Sequence, residues 1–299
     1  SEIFKRFYWW EPECLQRMQD KFGVTIEKRS FEQLAADAKA VPDSQAEAVW
    51  QEWQFKLNIG DISKRALLSA LKIYMVVIQE LETDDSIKAV GINCLNESRY
   101  SDTTPCLAWN MLYEDREMVW GCEADVVSML TKYVLHKSLG VPIMMTNLYP
   151  FMMGKAALAH ERIPYFPETD QPEHHILAAH CGYFGVVPQS FSTEWALRKK
   201  VLAIVDDNAT AIDARMPEGD MTLAKLHPTM ETISVAEGDL KSYVQYSDSD
   251  CLNGAVLKIA DGHKLLETIS SHHYLLMTGH NLVDIKNLAK VYDLEIEAV

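Results

Sequence analysis

Three short apolar runs, at residues 89–95, 118–122 and 142–146, punctuate the middle of the sequence, and stretches of helical periodicity fill the gaps between them. Apolar runs of this length, each ending in polar loop chemistry, read as buried strands. Their alternation with helices is the grammar of βαβ units around a parallel sheet. Upstream, helical patterns cover residues 2–21, 46–57 and 63–81, and a short strand is expected at Gly23-Val24-Thr25-Ile26. From about Gly219 the grammar changes. Met221-Thr222-Leu223-Ala224-Lys225-Leu226 and Ala255-Val256-Leu257-Lys258-Ile259 alternate with a period of two, and Glu237-Gly238-Asp239 and Ala260-Asp261-Gly262 read as turns between antiparallel strands. A last amphipathic helix places Leu282, Ile285, Leu288, Ala289 and Tyr292 on one face. The prediction is an α/β fold: a parallel-sheet α/β part followed by an antiparallel, β-rich part.

Composition narrows the classes. A chain of 299 residues with 48% hydrophobic content can bury one large core or two domains. The strongest apolar candidate for a membrane span, Ile73-Tyr74-Met75-Val76-Val77-Ile78, is bracketed by Lys72 and Glu80 and falls far short of the roughly 18 residues a span needs, so no membrane partner is expected. With 28 basic against 43 acidic residues the net charge is −15, which argues against a nucleic-acid partner and is compatible with an acidic site that holds cations. Cys14, Cys94, Cys106, Cys122, Cys181 and Cys251 show no paired CxxC spacing, so they read as reduced core thiols of a cytoplasmic protein. No charged-then-apolar leader follows Ser1, and no secretory signal is expected.

The chemistry concentrates where the apolar runs stop. At Gly121-Cys122-Glu123-Ala124-Asp125 a strand passes directly into a helical pattern, which sets Glu123 at the edge where α/β proteins bind ligands. The first run ends in Asn96-Glu97, the third in Asn147, and a fourth, at 176–179, in His180-Cys181-Gly182. Together these ends offer three oxygen ligands and one nitrogen to a small ligand or ion. Taken singly, each is also what any strand end carries. Ser271-His272-His273-Tyr274 lies in another apolar stretch, and because strand neighbours point to opposite faces, only one of the two histidines can enter a shared site. His174-His175 poses the same ambiguity but precedes its apolar run.

Several segments in the same order resemble the L-fucose isomerase and L-arabinose isomerase superfamily, in particular its fucose-isomerase-related members. They are Thr104-Pro105-Cys106-Leu107-Ala108, Trp120-Gly121-Cys122-Glu123-Ala124-Asp125, Ser128-Met129-Leu130-Thr131, Gly140-Val141-Pro142-Ile143, His180-Cys181-Gly182, Gly219-Asp220-Met221-Thr222-Leu223, and His272-His273 with Thr278-Gly279. The resemblance covers most of residues 88–299. It implies an α/β domain over residues 1–140, similar to that family's second domain, and a β-rich, barrel-like domain over 141–299. By this resemblance, the family's first N-terminal domain is expected to have no counterpart in this sequence. The resemblance also implies a homo-oligomer, and Phe7-Tyr8-Trp9-Trp10 is expected to pack against the family's further domain, against a neighbouring subunit or within its own domain.

By the same resemblance, a divalent cation, Mn²⁺ or else one such as Mg²⁺, is held by Glu123, Asn147 and His273, an oxygen-rich set with one imidazole. His180, Glu97, Trp109 and His272 are the candidate substrate contacts. Glu123 and Asn147 occupy the family's catalytic positions, and the implied activity is aldose–ketose isomerisation of a sugar through an enediolate. Asn147 stands where the family places aspartate. An amide oxygen can ligate a cation but cannot take and return a proton, so a non-catalytic carbohydrate binder and an epimerase stand as alternatives, and Glu97 or Asp125 is a candidate to assist Glu123.

Overall fold

Helix signals dominate the first ninety residues. The computed structural model describes residues 13–94, 98–153, 168–180, 183–199, 206–245 and 253–299. Helices α1 (Cys14–Phe22), α2 (Phe31–Ala40), α3 (Asp43–Trp53) and α4 (Lys64–Thr83) follow one another, and α2 and α4 start where Ser30 and Ser63 accept the amides of Gln33 and Ala66. A side-chain cap of this kind is worth about 1 kcal/mol. The longest, α4, buries Leu67, Leu71, Tyr74 and Leu81 at helical spacing along one stripe. Phe7, Tyr8, Trp9 and Trp10 lie outside the described residues.

Two strands then pair in parallel. β1 (Ala89–Ile92) and β2 (Val119–Cys122) are linked by α5 (Cys106–Arg116), and their register sets Gly91 against Gly121. α6 (Val126–Leu139) lies directly on this pair: a Cβ built on Gly121 would fall 2.8 Å from the Cβ of Met129. Only glycine permits that approach.

The rest of the sheet structure is antiparallel. β3 (Ile143–Pro150), β4 (His175–Ala179), the hairpin of β5 (Glu194–Lys199) and β6 (Thr210–Arg215), β7 (Gly219–Leu226), β8 (Thr232–Val244) and β9 (Gly254–Ile259) precede α7 (Gly262–Thr268) and β10 (His273–Thr278). Six of these strands form a closed barrel in the order β8-β7-β10-β3-β4-β9, with β9 paired back to β8. After α8 (Leu282–Val291), which buries Ile285 and Ala289, β11 (Glu295–Ala298) joins the outer side of β8 in parallel. The architecture is therefore mixed α/β: a two-stranded parallel pair with helices, and an antiparallel six-stranded barrel. α6 packs against β2 and also against β3, β7 and β10, and the hydrophobic core runs without a break from Cys14 to Ala289.

Three expectations are corrected. The third apolar run does not extend the parallel sheet; it is β3 of the barrel, antiparallel to the fourth run, β4. Six of the eight β3 residues form an unbroken buried run, because the strand is covered on both faces, and a run buried on both faces reads alike in either kind of sheet. Gly23-Val24-Thr25-Ile26 forms no strand. Gly23 is the left-handed C-cap of α1, at φ 67°, and the residues after it leave the helix without joining a ladder. Glu237-Gly238-Asp239 is no turn either, since β8 runs straight through it for 13 residues. Gly238 serves close approach instead: a Cβ there would lie 2.4 Å from the Lys258 carbonyl oxygen. A register shift between Leu240 and Ser242 follows, a bulge that bends the long strand as barrel closure requires. Among the described residues no helix is long and apolar enough to cross a membrane.

Candidate functional site

The reversal between β2 and α6 is unusual for its side chains. The Asp125 amide donates to the Cys122 carbonyl at 3.1 Å, while Glu123 and Ala124 between them sit at φ 56° and 53°. Two consecutive left-handed residues make a turn that Asn-Gly ordinarily fills. Holding non-glycine residues there costs roughly 1–2 kcal/mol each, so the packing around the turn must compensate. The outcome is directional: Glu123, 5% exposed, is carried to the barrel, where its Oε2 lies 4.0 Å from Nε2 of His273.

Asp125 explains how the turn is held. Its carboxylate caps α6 by accepting the Ser128 amide and hydroxyl, both at 2.8 Å, and it accepts Lys225 Nζ from β7 at 3.3 Å. It also meets Nδ1 of His273 at 2.8 Å. Lys225 further donates to the Ser128 hydroxyl. Burial acts to raise the Asp125 pKa, but Lys225, His273 and the Ser128 amide outweigh it and hold the carboxyl well below the usual range. A carboxylate can only accept, so Nδ1 of His273 carries the proton, and in the neutral ring the Nε2 lone pair is left on the Glu123 side.

Across the barrel wall, His273 of β10 stands directly opposite Asn147 of β3. The Leu148 amide bonds to the His272 carbonyl at 2.9 Å, which makes that the hydrogen-bonded pair and leaves Asn147 and His273 as the closer pair, side chains on one face. Asn147 is buried, and its Oδ1 accepts no hydrogen bond. An acceptor left so costs about 1–3 kcal/mol.

His180, just past β4, is 1% exposed, has a partner at neither ring nitrogen, and lies 6.4 Å from the His273 ring, centroid to centroid. Burial, His273 and Lys132 push it down to about 3, so it is neutral at physiological pH. His272 is half-buried beside His273, with ring centroids 4.1 Å apart, and burial, with His273 as neighbour, pushes it down to about 2. It is His273 that faces Glu123. Trp109 is buried in α5 with an indole N–H that finds no acceptor, and no hydrogen bond or ring contact ties its side chain to Glu123 or His273. Glu97 and Asn96 lie outside the described residues, as do Cys181 and Gly182. His174 and His175 are engaged elsewhere, by the carbonyls of Ala260 and Gln171.

Two lysines at the site carry no motif. Lys225 and Lys132 are both buried, and the sequence signal is only that Lys225 follows Met221 and Leu223 on one face of β7, while Lys132 sits between Ser128 and His136 along α6. Cys94 and Cys106 are pushed up by burial, Cys106 to about 11, as is Cys122, so all three stay as inert thiols.

The set Glu123, His273 and Asn147 offers a carboxylate oxygen, an imidazole nitrogen fixed from behind by a carboxylate, and an unused amide oxygen. That donor set suits a hard divalent cation. Among the described residues no group of three or more His, Cys, Asp or Glu side chains is arranged to hold a metal, and the set here counts an amide in place of the third. Protein-family models give no match to the chain, and none of the curated proteins matches it.

Proposed function

We propose that the chain is a metal-dependent aldose–ketose isomerase related to the fucose and arabinose isomerases, acting on a small sugar or sugar derivative through an enediolate. The observation that carries the reading is the placement of His273 between Asp125, 2.8 Å from Nδ1, and Glu123, 4.0 Å from Nε2, with the unused Asn147 oxygen opposite. Glu123, Asn147 and His273 would hold Mn²⁺ or Mg²⁺. Such an ion supplies Lewis-acid polarisation of the sugar carbonyl and hydroxyl oxygens.

Within that reading each residue has a bounded role. Glu123 removes the proton from the hydroxyl-bearing carbon beside the carbonyl and returns it to the carbonyl carbon, while the hydroxyl proton passes to the former carbonyl oxygen, which balances the reaction without a redox partner. Asp125 cannot share this work. It is already engaged by Ser128, Lys225 and His273 and held anionic, so it orients His273. Neutral His180 offers an N–H donor to a sugar oxygen. The strained Glu123-Ala124 turn fixes the base against the barrel wall.

A second reading rests on Asn147, whose amide can bind an ion or hydroxyl but cannot move a proton: a carbohydrate binder that has lost turnover. Both are tested by Mn²⁺ titration followed by electron paramagnetic resonance, together with deuterium uptake from D₂O into a panel of aldoses and ketoses. Isomerisation requires stoichiometric Mn²⁺ binding and uptake that Glu123→Gln lowers by roughly 10³-fold or more. Sugar binding with neither metal nor exchange selects the binder, and absence of all three overturns both. Asn147→Asp, which restores an anion, is expected to tighten Mn²⁺ binding about tenfold or more.

A further inference from the structure

Lys132 is 2% exposed on α6, and its Nζ lies 3.2 Å from the centroid of the Trp120 ring. No oxygen or nitrogen accepts a hydrogen bond from it. The indole face offsets part of an ammonium charge but takes up none of its three N–H donors in a directed bond. Lys225, equally buried, shows the ordinary solution, a carboxylate within reach. The titratable groups that face Lys132 are Cys122 at the end of β2, His136 one turn along α6, and His180 after β4. His136 is engaged, its Nε2 with the Tyr113 hydroxyl and its Nδ1 with the Val141 carbonyl, both at 2.8 Å. His180 is not, and it lies close enough to feel the Lys132 charge. Two buried side chains with unused N–H donors thus lie within electrostatic reach of each other, His180 beside the ring of His273, and no anion of the described chain answers them.

We propose that Lys132 and His180 form an oxyanion-recognising subsite beside the Glu123–His273 pair, which takes a carboxylate or phosphate group carried by the substrate. That the carrier is a sugar rests on the isomerase reading; the demand for an oxyanion does not. In this arrangement the ammonium meets the anion's charge and the His180 N–H meets a second oxygen, a charge-assisted pair in a dry setting. Burial holds the free Lys132 amine down to about 7, so it must gain a proton as the anion arrives. Affinity is then full below pH 7 and falls up to about tenfold per unit above it, until the raised pKa of the bound state is reached.

The test is calorimetric titration of the full chain with sulfate, whose charge is constant over this range, at pH 6, 7 and 8, for the wild type, Lys132→Met and Glu123→Gln. The wild type is expected to bind, more weakly at pH 8 than at pH 6. Lys132→Met should bind roughly tenfold more weakly or worse, and Glu123→Gln no more weakly than wild type. Sulfate binding unchanged within twofold in Lys132→Met, or absent from the wild type, overturns the subsite. If Lys132→Met does not fold, the ¹³Cε lysine resonances of biosynthetically labelled wild type decide: a Lys132 titration that moves to higher pH with sulfate supports the subsite, and one that stays put overturns it. Competition by an aldonate assigns a carboxylate, competition by a sugar phosphate assigns a phosphate, and a neutral aldose that binds where both fail overturns the proposal. Sulfate binding through Lys132 without Mn²⁺ binding or proton exchange leaves the subsite standing and removes the isomerase reading; exchange without sulfate binding does the reverse.

Discussion

Asp125 and Lys132 are seven positions apart around the same helix, both buried, both ionisable, and they are treated in opposite ways. Asp125 is fully engaged, with the amide and hydroxyl of Ser128, Lys225 and His273 around one carboxylate. Lys132 has an aromatic face and nothing else. A charge whose bonds are all made is scaffold: it fixes a cap, a strand and an imidazole in one arrangement. A buried charge whose bonds are not made is a standing cost, and in a folded chain such a cost marks a place where something else completes the set.

The largest test of the contrast removes the engaged member. Asp125→Ala strands Lys225 as an unpaired buried cation and frees His273, and the loss expected in urea unfolding is about 3–5 kcal/mol. A loss below about 1 kcal/mol would show the network to be dispensable.

Next comes the unengaged member, through pH. The Lys132 amine is held below its ordinary value of 10.5, at about 7, so the unfolded chain binds its proton more tightly than the folded one. Stability owed to this group is therefore lowest below pH 7 and recovers as pH rises from 7 to 10.5, with a slope of up to about 1.4 kcal/mol per unit. Lys132→Met should remove that slope and be at least as stable as wild type at pH 7; equal slopes in the two proteins would break the comparison. The smallest effect is expected from Ser128→Ala, which deletes the hydroxyl's bonds with Asp125 and Lys225 and leaves the amide cap, the Asp125–Lys225 ion pair and the His273 contact in place. About 1 kcal/mol in thermal unfolding is the scale, and a loss as large as that of Asp125→Ala would mean that the Ser128 hydroxyl, not the ion pair, holds the turn.

Much of this was legible along the chain and some could not be. Local signals carried the helices, because caps such as Ser63 and stripes such as that of α4 are written within a few residues. They also carried Glu123 to the edge of β2. What failed was pairing. The run at 142–146 announces burial but not a partner, since the barrel and α6 cover both faces of β3, and so by itself it reads as a strand of the parallel sheet. Gly238 illustrates the converse: the residue that permits the barrel strands to close reads locally as a turn. At the site, the contact of Asp125 with His273 joins positions 148 residues apart, and no spacing rule reaches that far. The surplus donors of Lys132 are visible only once every neighbour has been placed.

α6 packs on the β1–β2 pair and on three barrel strands at once, and that has a consequence in time as well as in space. Contacts between residues so distant in sequence pay their loop-closure entropy before they return any energy, so they form late. Glu123 comes from one side of that seam, Asn147 and His273 from the other. The constellation therefore does not exist in any partly folded chain in which barrel and helix are still apart. A tight binder of the site stabilises the docked state alone, and its apparent affinity reports how completely the two halves have come together.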